Sequence, residues 1–208
     1  MKIVLIAGFG VVALVFLGLL GAAAMQPNGI AVERAVVIDA QPQDIWVHIA
    51  DYNNFVAWSP STEKDPKATR EISTPAHGLG STYAWSGNDA VGTGTMETIT
   101  YQEPTKLEQQ LTFTAPLESS STVFYELTPV EGGTRVRWGF EVHLNLQMKM
   151  ATLFMDMDEM LGGEYELGLA NLGEKAKATA AKRIEDEKQA AQVAAKAEAE
   201  AEADVVAN

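Results

Sequence analysis

Polar and apolar residues alternate along most of the middle of the chain. In the clearest run, 106–114, apolar side chains and one glutamine share one face, and polar side chains share the other. Because successive side chains of a strand point to opposite faces, this pattern predicts antiparallel strands with one wet face. Glycine, proline and asparagine separate the runs at short intervals, as turns require. The predicted strands are 32–38, 68–72, 81–86, 92–101, 106–114, 122–128 and 134–143.

Two short helices are predicted between the first and second strands. Pro42 suits the first turn of a helix, and apolar residues follow it at helical spacing. Those apolar residues are Ile45, Trp46 and Ile49. Phe55 and Trp58, three positions apart, indicate a second short helix, which Pro60 is expected to end.

After the last strand the apolar repeat lengthens to three or four residues, which predicts an amphipathic helix over 154–172. Gly162-Gly163 is expected to interrupt this helix, since each glycine costs about 1 kcal/mol relative to alanine. The apolar stripe consists of Phe154, Met157, Leu161, Tyr165, Leu169 and Leu172. One strand, two helices, six more strands and a long helix predict a single α+β domain over residues 30–173.

The last segment of the chain, 174–208, is built mainly of alanine, glutamate and lysine, and Ile184 and Val193 are the large apolar exceptions before its last few residues. Such a composition forms helix readily but offers no apolar face to a core. We therefore expect a solvated helical tail that frays toward Asn208. Residues beyond about Lys177 are expected to contribute little to the stability of the domain.

The first segment of the chain, 1–25, contains 22 consecutive uncharged residues at positions 3–24. A helix of that length spans roughly 33 Å, enough for the hydrocarbon core of a bilayer. The length favours a single-pass membrane anchor over a secretory signal peptide cleaved after Ala24. Lys2 precedes the segment and favours a cytoplasmic N-terminus with the domain on the extracytoplasmic side. If the segment is cleaved, the domain is secreted.

Charge and composition exclude several classes of function. The net charge is −13, and residues 25–173 hold 8 basic and 20 acidic side chains, an imbalance that argues against nucleic acid as a partner. There is no cysteine, and His48, His77 and His143 share no ligand spacing, so no metal site is predicted. The run 92–94 lacks the third glycine of a nucleotide loop, and no cofactor is predicted.

Several local sequences resemble the START and birch-pollen-allergen superfamily, in particular its polyketide cyclase/dehydrase-like (SRPBCC) members. The matching stretches are 35–40 with Ile45-Trp46, 57–60, 83–88 with 92–96, 133–138, and 155–158 with Leu161-Gly162. The resemblance covers roughly residues 32–173 and implies a helix-grip fold. In that fold a curved antiparallel sheet of about seven strands wraps around a long C-terminal helix, with an apolar cavity between them. Members bind lipids, sterols, polyketides and other hydrophobic ligands, and a minority are enzymes.

The aromatic residues of four strands share one face, and the stripe of the last helix is the matching surface that covers it. We therefore expect a membrane-tethered binder of a hydrophobic small molecule, either a lipid or a polyketide-like compound. Gln109 either orients the ligand or lies near a strand edge in water. The predicted pocket residues are Tyr83, Trp85, Met96, Gln109, Phe113, Tyr125, Trp138, Phe140, Phe154, Met157, Leu161 and Tyr165.

Two other functions stay open. A cyclase or dehydratase acting on a polyketide-like substrate needs a buried acid or base, and the candidates on this face are Tyr83, Tyr125 and Tyr165. Tyrosines are poor acid-base groups at neutral pH, so binding without catalysis is favoured. The remaining alternative is a membrane-anchored interaction module whose helical tail docks a protein partner.

Overall fold

A computed structural model describes residues 17–153 and 156–207. Within these residues, seven antiparallel strands form one sheet in the order β1-β7-β6-β5-β4-β3-β2. The first strand therefore pairs with the last and forms one edge of the sheet. The strands are β1 (Gly29–Ile38), β2 (Thr69–Ile72), β3 (Thr82–Ser86), β4 (Thr93–Gln102), β5 (Lys106–Ala115), β6 (Ser119–Val130) and β7 (Gly133–His143).

The helices of the described chain lie before, between and after these strands. They are α1 (17–25), α2 (Pro42–Ala50), α3 (Tyr52–Phe55), α4 (Pro60–Lys64), α5 (Leu146–Ala151) and α6 (Met157–Ala207). The α+β arrangement of a seven-stranded antiparallel sheet with a long C-terminal helix fits the helix-grip fold. All seven predicted strands are present, and alternation located their ends to within three residues.

Two helical predictions are wrong in detail. Pro60 does not end a helix but begins α4, because a proline at the first helical position needs no N–H partner. Gly162-Gly163 does not interrupt α6, which runs unbroken for 51 residues. Gly162 lies against the guanidinium of Arg34 on β1, and Arg34 also bonds Asp158 (2.7 Å) and Glu166 (3.0 Å) of α6. These contacts hold the first turns of α6 on β1.

The hydrophobic core lies between the concave face of the sheet and the helices α2 and α6. Its members include side chains from α2, from α3 and from the central strands. The largest fully buried apolar side chains are Trp46, Tyr52, Tyr125, Ile45, Ile49, Leu107 and Leu172. The turn between β6 and β7 depends on Gly133, whose φ of +136° brings it against the backbone of Ile38 where a Cβ has no space.

The contacts of α6 with the domain continue past residue 173, contrary to the expectation of a tail without a core face. Ala176 and Ala180 are buried, and the hydroxyl of Thr179 lies 2.8 Å from Nε2 of His48. Arg183 binds the carboxylate of Asp44 on α2 through two N–H groups, each at 3.0 Å. Small residues allow this close approach of α6 to α2, so the packed part of the helix reaches Arg183.

The predicted anchor, 3–24, lies mostly outside the described residues, which begin at residue 17 in helix α1. In the part of the chain that the structure describes, no helix is long and apolar enough to cross a membrane.

Candidate functional site

A cavity of about 490 Å³ lies between the concave face of the sheet and helix α6. Strands β3 to β7 form its walls, α6 covers it, and the short helices with the β3–β4 connection surround its mouth. The side chains around it are mostly apolar and aromatic. The lining residues are Phe55, Ser59, Pro60, Ser61, Lys64, Tyr83, Trp85, Asp89, Ala90, Val91, Gly92, Met96, Leu111, Phe113, Pro116, Val123, Tyr125, Trp138, Met160, Leu161, Glu164 and Tyr165.

One wall is a row of aromatic rings on β3 and β5. The rings of Tyr83 and Trp85 stack with centroids 5.5 Å apart, and Phe113 meets Trp85 edge-on at 5.4 Å. Nε1 of Trp85 donates to the carbonyl of Val91 at 2.9 Å, which fixes the indole. The indole crosses β4 at Gly94, where a Cβ would lie 2.7 Å from the ring. A glycine at this position therefore gives the Trp85 indole room to lie over β4.

The opposite wall is built from β6, β7 and α6. Tyr125 stacks on Trp138 with centroids 5.4 Å apart, and Tyr165 of α6 meets Trp138 edge-on at 4.4 Å. Phe55 and Trp58 connect the two walls, since Phe55 contacts Tyr83 (5.9 Å) and Trp58 contacts Trp138 (5.3 Å). The cavity thus has packed aromatic surfaces on both sides.

Charged groups lie at the mouth of the cavity. Lys64 at the end of α4 forms an ion pair with Glu164 of α6 across the mouth. The β3–β4 connection is tied to the same region, because the backbone N–H of Asn88 donates to Oδ2 of Asp65 at 2.7 Å. The mouth is therefore polar, while the interior is apolar.

Burial changes the acid-base behaviour of the tyrosines in the interior. Burial raises the pKa of Tyr83, Tyr125 and Tyr165 above that of free tyrosine. All three are therefore neutral at physiological pH and can donate or accept hydrogen bonds without carrying charge. Among the residues that the structure describes, no cluster of histidine, aspartate and glutamate could hold a metal ion.

The family described as "Polyketide cyclase / dehydrase and lipid transport" matches residues 29–177. The chain belongs to this family. The polyketide cyclase/dehydrase match covers all seven strands and the part of α6 over the cavity, and it ends before Arg183. No curated protein matches the chain in sequence.

Solved structures of low sequence identity share the fold of this polyketide cyclase/dehydrase domain. SA2116 of Staphylococcus aureus, a protein of unknown function, aligns with a TM-score of 0.55 at 9% identity over 73% of this chain and 95% of its own. MLL2253 of Mesorhizobium loti aligns at 0.52 and 16% identity over 73% and 98%. DynU16, a protein in the dynemicin biosynthetic locus, aligns at 0.50 and 12% identity over 73% of this chain and 48% of its own.

The structure brings eight of the twelve predicted pocket residues of this family member to the cavity. These are Tyr83, Trp85, Met96, Phe113, Tyr125, Trp138, Leu161 and Tyr165. Phe140 instead stacks behind Tyr165 at 6.4 Å, and Met157 lies beside Ile30 at a separate depression next to β1. Gln109 is outside the lining but buried, and Phe154 lies outside the described residues. Gly162 faces Arg34, so it does not leave space in the cavity as expected.

Most of the lining residues that were not predicted from the sequence fall into two groups, to which Phe55, Pro116, Met160 and Glu164 do not belong. Leu111 and Val123 share the strand faces of predicted residues, so alternation was sufficient to find them. The residues of the mouth lie at the N-cap of α4, in α4 itself and in the β3–β4 connection, where no periodic pattern exists. Those residues are Ser59, Pro60, Ser61, Lys64, Asp89, Ala90, Val91 and Gly92.

Proposed function

We propose that this protein binds a hydrophobic small molecule in the cavity between its sheet and helix α6. The observation that carries the proposal is the cavity itself, since its volume of about 490 Å³ is typical of small-molecule sites and its walls are aromatic. Membership in a family that includes lipid transport and polyketide cyclisation supports the same class of ligand.

The chemistry of the lining favours binding over catalysis. Within the described residues, the carboxylates of the lining are Asp89 and Glu164, both at the mouth, and Glu164 is paired with Lys64. The interior tyrosines are held neutral by burial. A cyclase or dehydratase needs a group poised to exchange protons near neutral pH. We therefore place the protein with the binders of its family.

A titration of the full chain in lipid nanodiscs tests this proposal. Fatty acids, sterols and aromatic polyketide-like compounds are added, and tryptophan emission reports entry, because Trp85 and Trp138 line the cavity. Leu111→Phe fills part of the cavity and is expected to weaken binding. Thr112→Phe, on the opposite face of the same strand, is the matched control and should bind as the wild type does. If no compound changes the emission, the proposal is wrong.

We further propose that residues 3–24 remain attached and tether the domain to a membrane, with the domain on the extracytoplasmic side. The support is the length of the uncharged segment and the single lysine before it. Fractionation of cells and the intact mass of the purified chain test this directly. A mature chain that begins at Met25 would show that the segment is a cleaved signal peptide instead.

A further inference from the structure

Two tyrosine hydroxyls of the cavity have no hydrogen-bond partner in the protein. Tyr125 on β6 is 1% exposed, Tyr165 on α6 is partly buried, and both residues line the cavity. Within the described residues, neither hydroxyl donates or accepts a hydrogen bond. Neither oxygen is fully enclosed by protein atoms, in contrast to the amide of Gln109. Each hydroxyl is therefore unpaired and still has accessible surface.

Aromatic packing fixes the rings that carry these hydroxyls. The Tyr125 ring stacks on Trp138 at 5.4 Å and meets Trp58 edge-to-face at 6.5 Å. The Tyr165 ring meets Trp138 edge-to-face at 4.4 Å and stacks on Phe140 at 6.4 Å. Because neighbouring rings cover the sides of both tyrosines, the surface left on each hydroxyl faces the cavity. Burial raises the pKa of both groups, so each keeps its proton and can donate it to a hydrogen bond at physiological pH.

The other polar side chains of the lining interact with protein groups, lie at the mouth or are enclosed. The hydroxyl of Tyr83 interacts with the guanidinium of Arg70. At the mouth, Lys64 and Glu164 form an ion pair with each other. Nε1 of Trp138 has no partner, but it is fully enclosed and cannot meet a ligand. In the interior of the cavity, the two unpaired tyrosine hydroxyls are therefore the groups that a ligand can reach with a hydrogen bond.

We infer that Tyr125 and Tyr165 donate hydrogen bonds to the ligand, and that the ligand carries an uncharged acceptor oxygen, such as a ketone or ester carbonyl, where these hydroxyls reach it. A ligand that displaces water from the cavity must replace the hydrogen bonds that water makes to the hydroxyls, or it loses affinity. A hydrocarbon cannot replace them. A carboxylate is disfavoured, because Lys64, the cation of the described lining, is already paired with Glu164. This inference rests on the proposed function and adds the chemistry of the ligand.

Calorimetry of the full chain in nanodiscs with two matched probes tests the inference. 2-Acetylnaphthalene and 2-isopropenylnaphthalene have nearly the same shape, and only the first carries an oxygen. The wild-type chain is expected to bind the ketone more tightly than the hydrocarbon. Tyr125→Phe and Tyr165→Phe are each expected to weaken binding of the ketone by about three- to tenfold, because one hydrogen bond is lost, and to leave the hydrocarbon unchanged or tighter. Empty nanodiscs titrated in parallel correct for partition of the probes into lipid.

Tyr101→Phe is the matched control for this experiment. Tyr101 lies outside the lining, its hydroxyl accepts from Nε1 of Trp46 at 3.3 Å, and its replacement should leave the ratio of the two dissociation constants unchanged. A loss of folded protein weakens both probes alike, so this ratio reports the hydrogen bond and not stability. If either Tyr125→Phe or Tyr165→Phe retains the wild-type ratio while both probes bind, the inference is overturned and the proposed function stands. If neither probe binds the wild-type chain, the proposed function fails and the inference fails with it.

Discussion

Replacement of Arg183 by methionine tests where the folded domain ends. Arg183 donates two hydrogen bonds to the carboxylate of Asp44, which is 3% exposed and accepts one more from the backbone N–H of Gln41 at 3.2 Å. Without the arginine the buried carboxylate keeps one of three hydrogen bonds. An unsatisfied buried polar group costs about 1–3 kcal/mol and a fully buried broken ion pair about 3–5 kcal/mol.

The side chain of Arg183 is 29% exposed, so water screens its ion pair with Asp44. The lower range, about 1–3 kcal/mol, therefore applies. We expect the uncompensated Asp44 carboxylate to lower the free energy of unfolding by about 2 kcal/mol, which corresponds to a fall in Tm of about 4–8 °C for a domain of this size. Urea unfolding followed by tryptophan emission measures the change. Lys182→Met removes the same charge from the exposed neighbouring position and should be neutral. Equal effects of the two substitutions would refute the reasoning.

Three further predictions concern the core and the aromatic wall. Gly94→Val places a side chain 2.7 Å from the Trp85 ring and should cost about 1–3 kcal/mol in urea unfolding. Its control is Gly163→Ala, which has open space and should stabilise α6 by up to about 1 kcal/mol. Leu107→Ala, at a fully buried site, should cost about 2–5 kcal/mol in the same assay. Burial raises the pKa of Tyr52 from 10.0 to about 12, so its stabilising effect is present below pH 10 and is lost as pH rises toward 12. Tm measured against alkaline pH should fall there, and less steeply in Tyr52→Phe.

Local patterns were sufficient to predict most of the secondary structure and one side of the site. A period of two places alternate side chains on one face of a strand, whatever its neighbouring strands are. The residues of the aromatic face could therefore be predicted one by one. A period of three to four located the helix that covers that face. Eight pocket residues follow from these two periods together with the requirement that a large apolar surface be covered.

The tertiary structure decided what depends on residues far apart in the chain. The pairing of β5 with β6 places Gln109 opposite Val123, and the side chain of Gln109 is buried. From the sequence alone, its polar character also allowed a position in water near a strand edge. Pro60 satisfies the rules for a helix end and for a helix start equally, and its surroundings select the start. In α6, the burial of Ala176 and Ala180 could not be predicted, because alanine is common throughout this segment and does not distinguish buried from exposed positions.

Sequence alone therefore determined the seven strands, their order along the chain, their apolar faces and the helix that covers them, because these follow from interactions within a few residues. It did not predict α4 and α5. The tertiary structure alone decided the strand order, the mouth of the cavity and the true end of the packed helix. Arg183 meets Asp44 across 139 positions of sequence, and Lys64 meets Glu164 across 100. Ion pairs of this kind form only when distant segments of the chain have folded against each other, because no local sequence pattern brings such residues together.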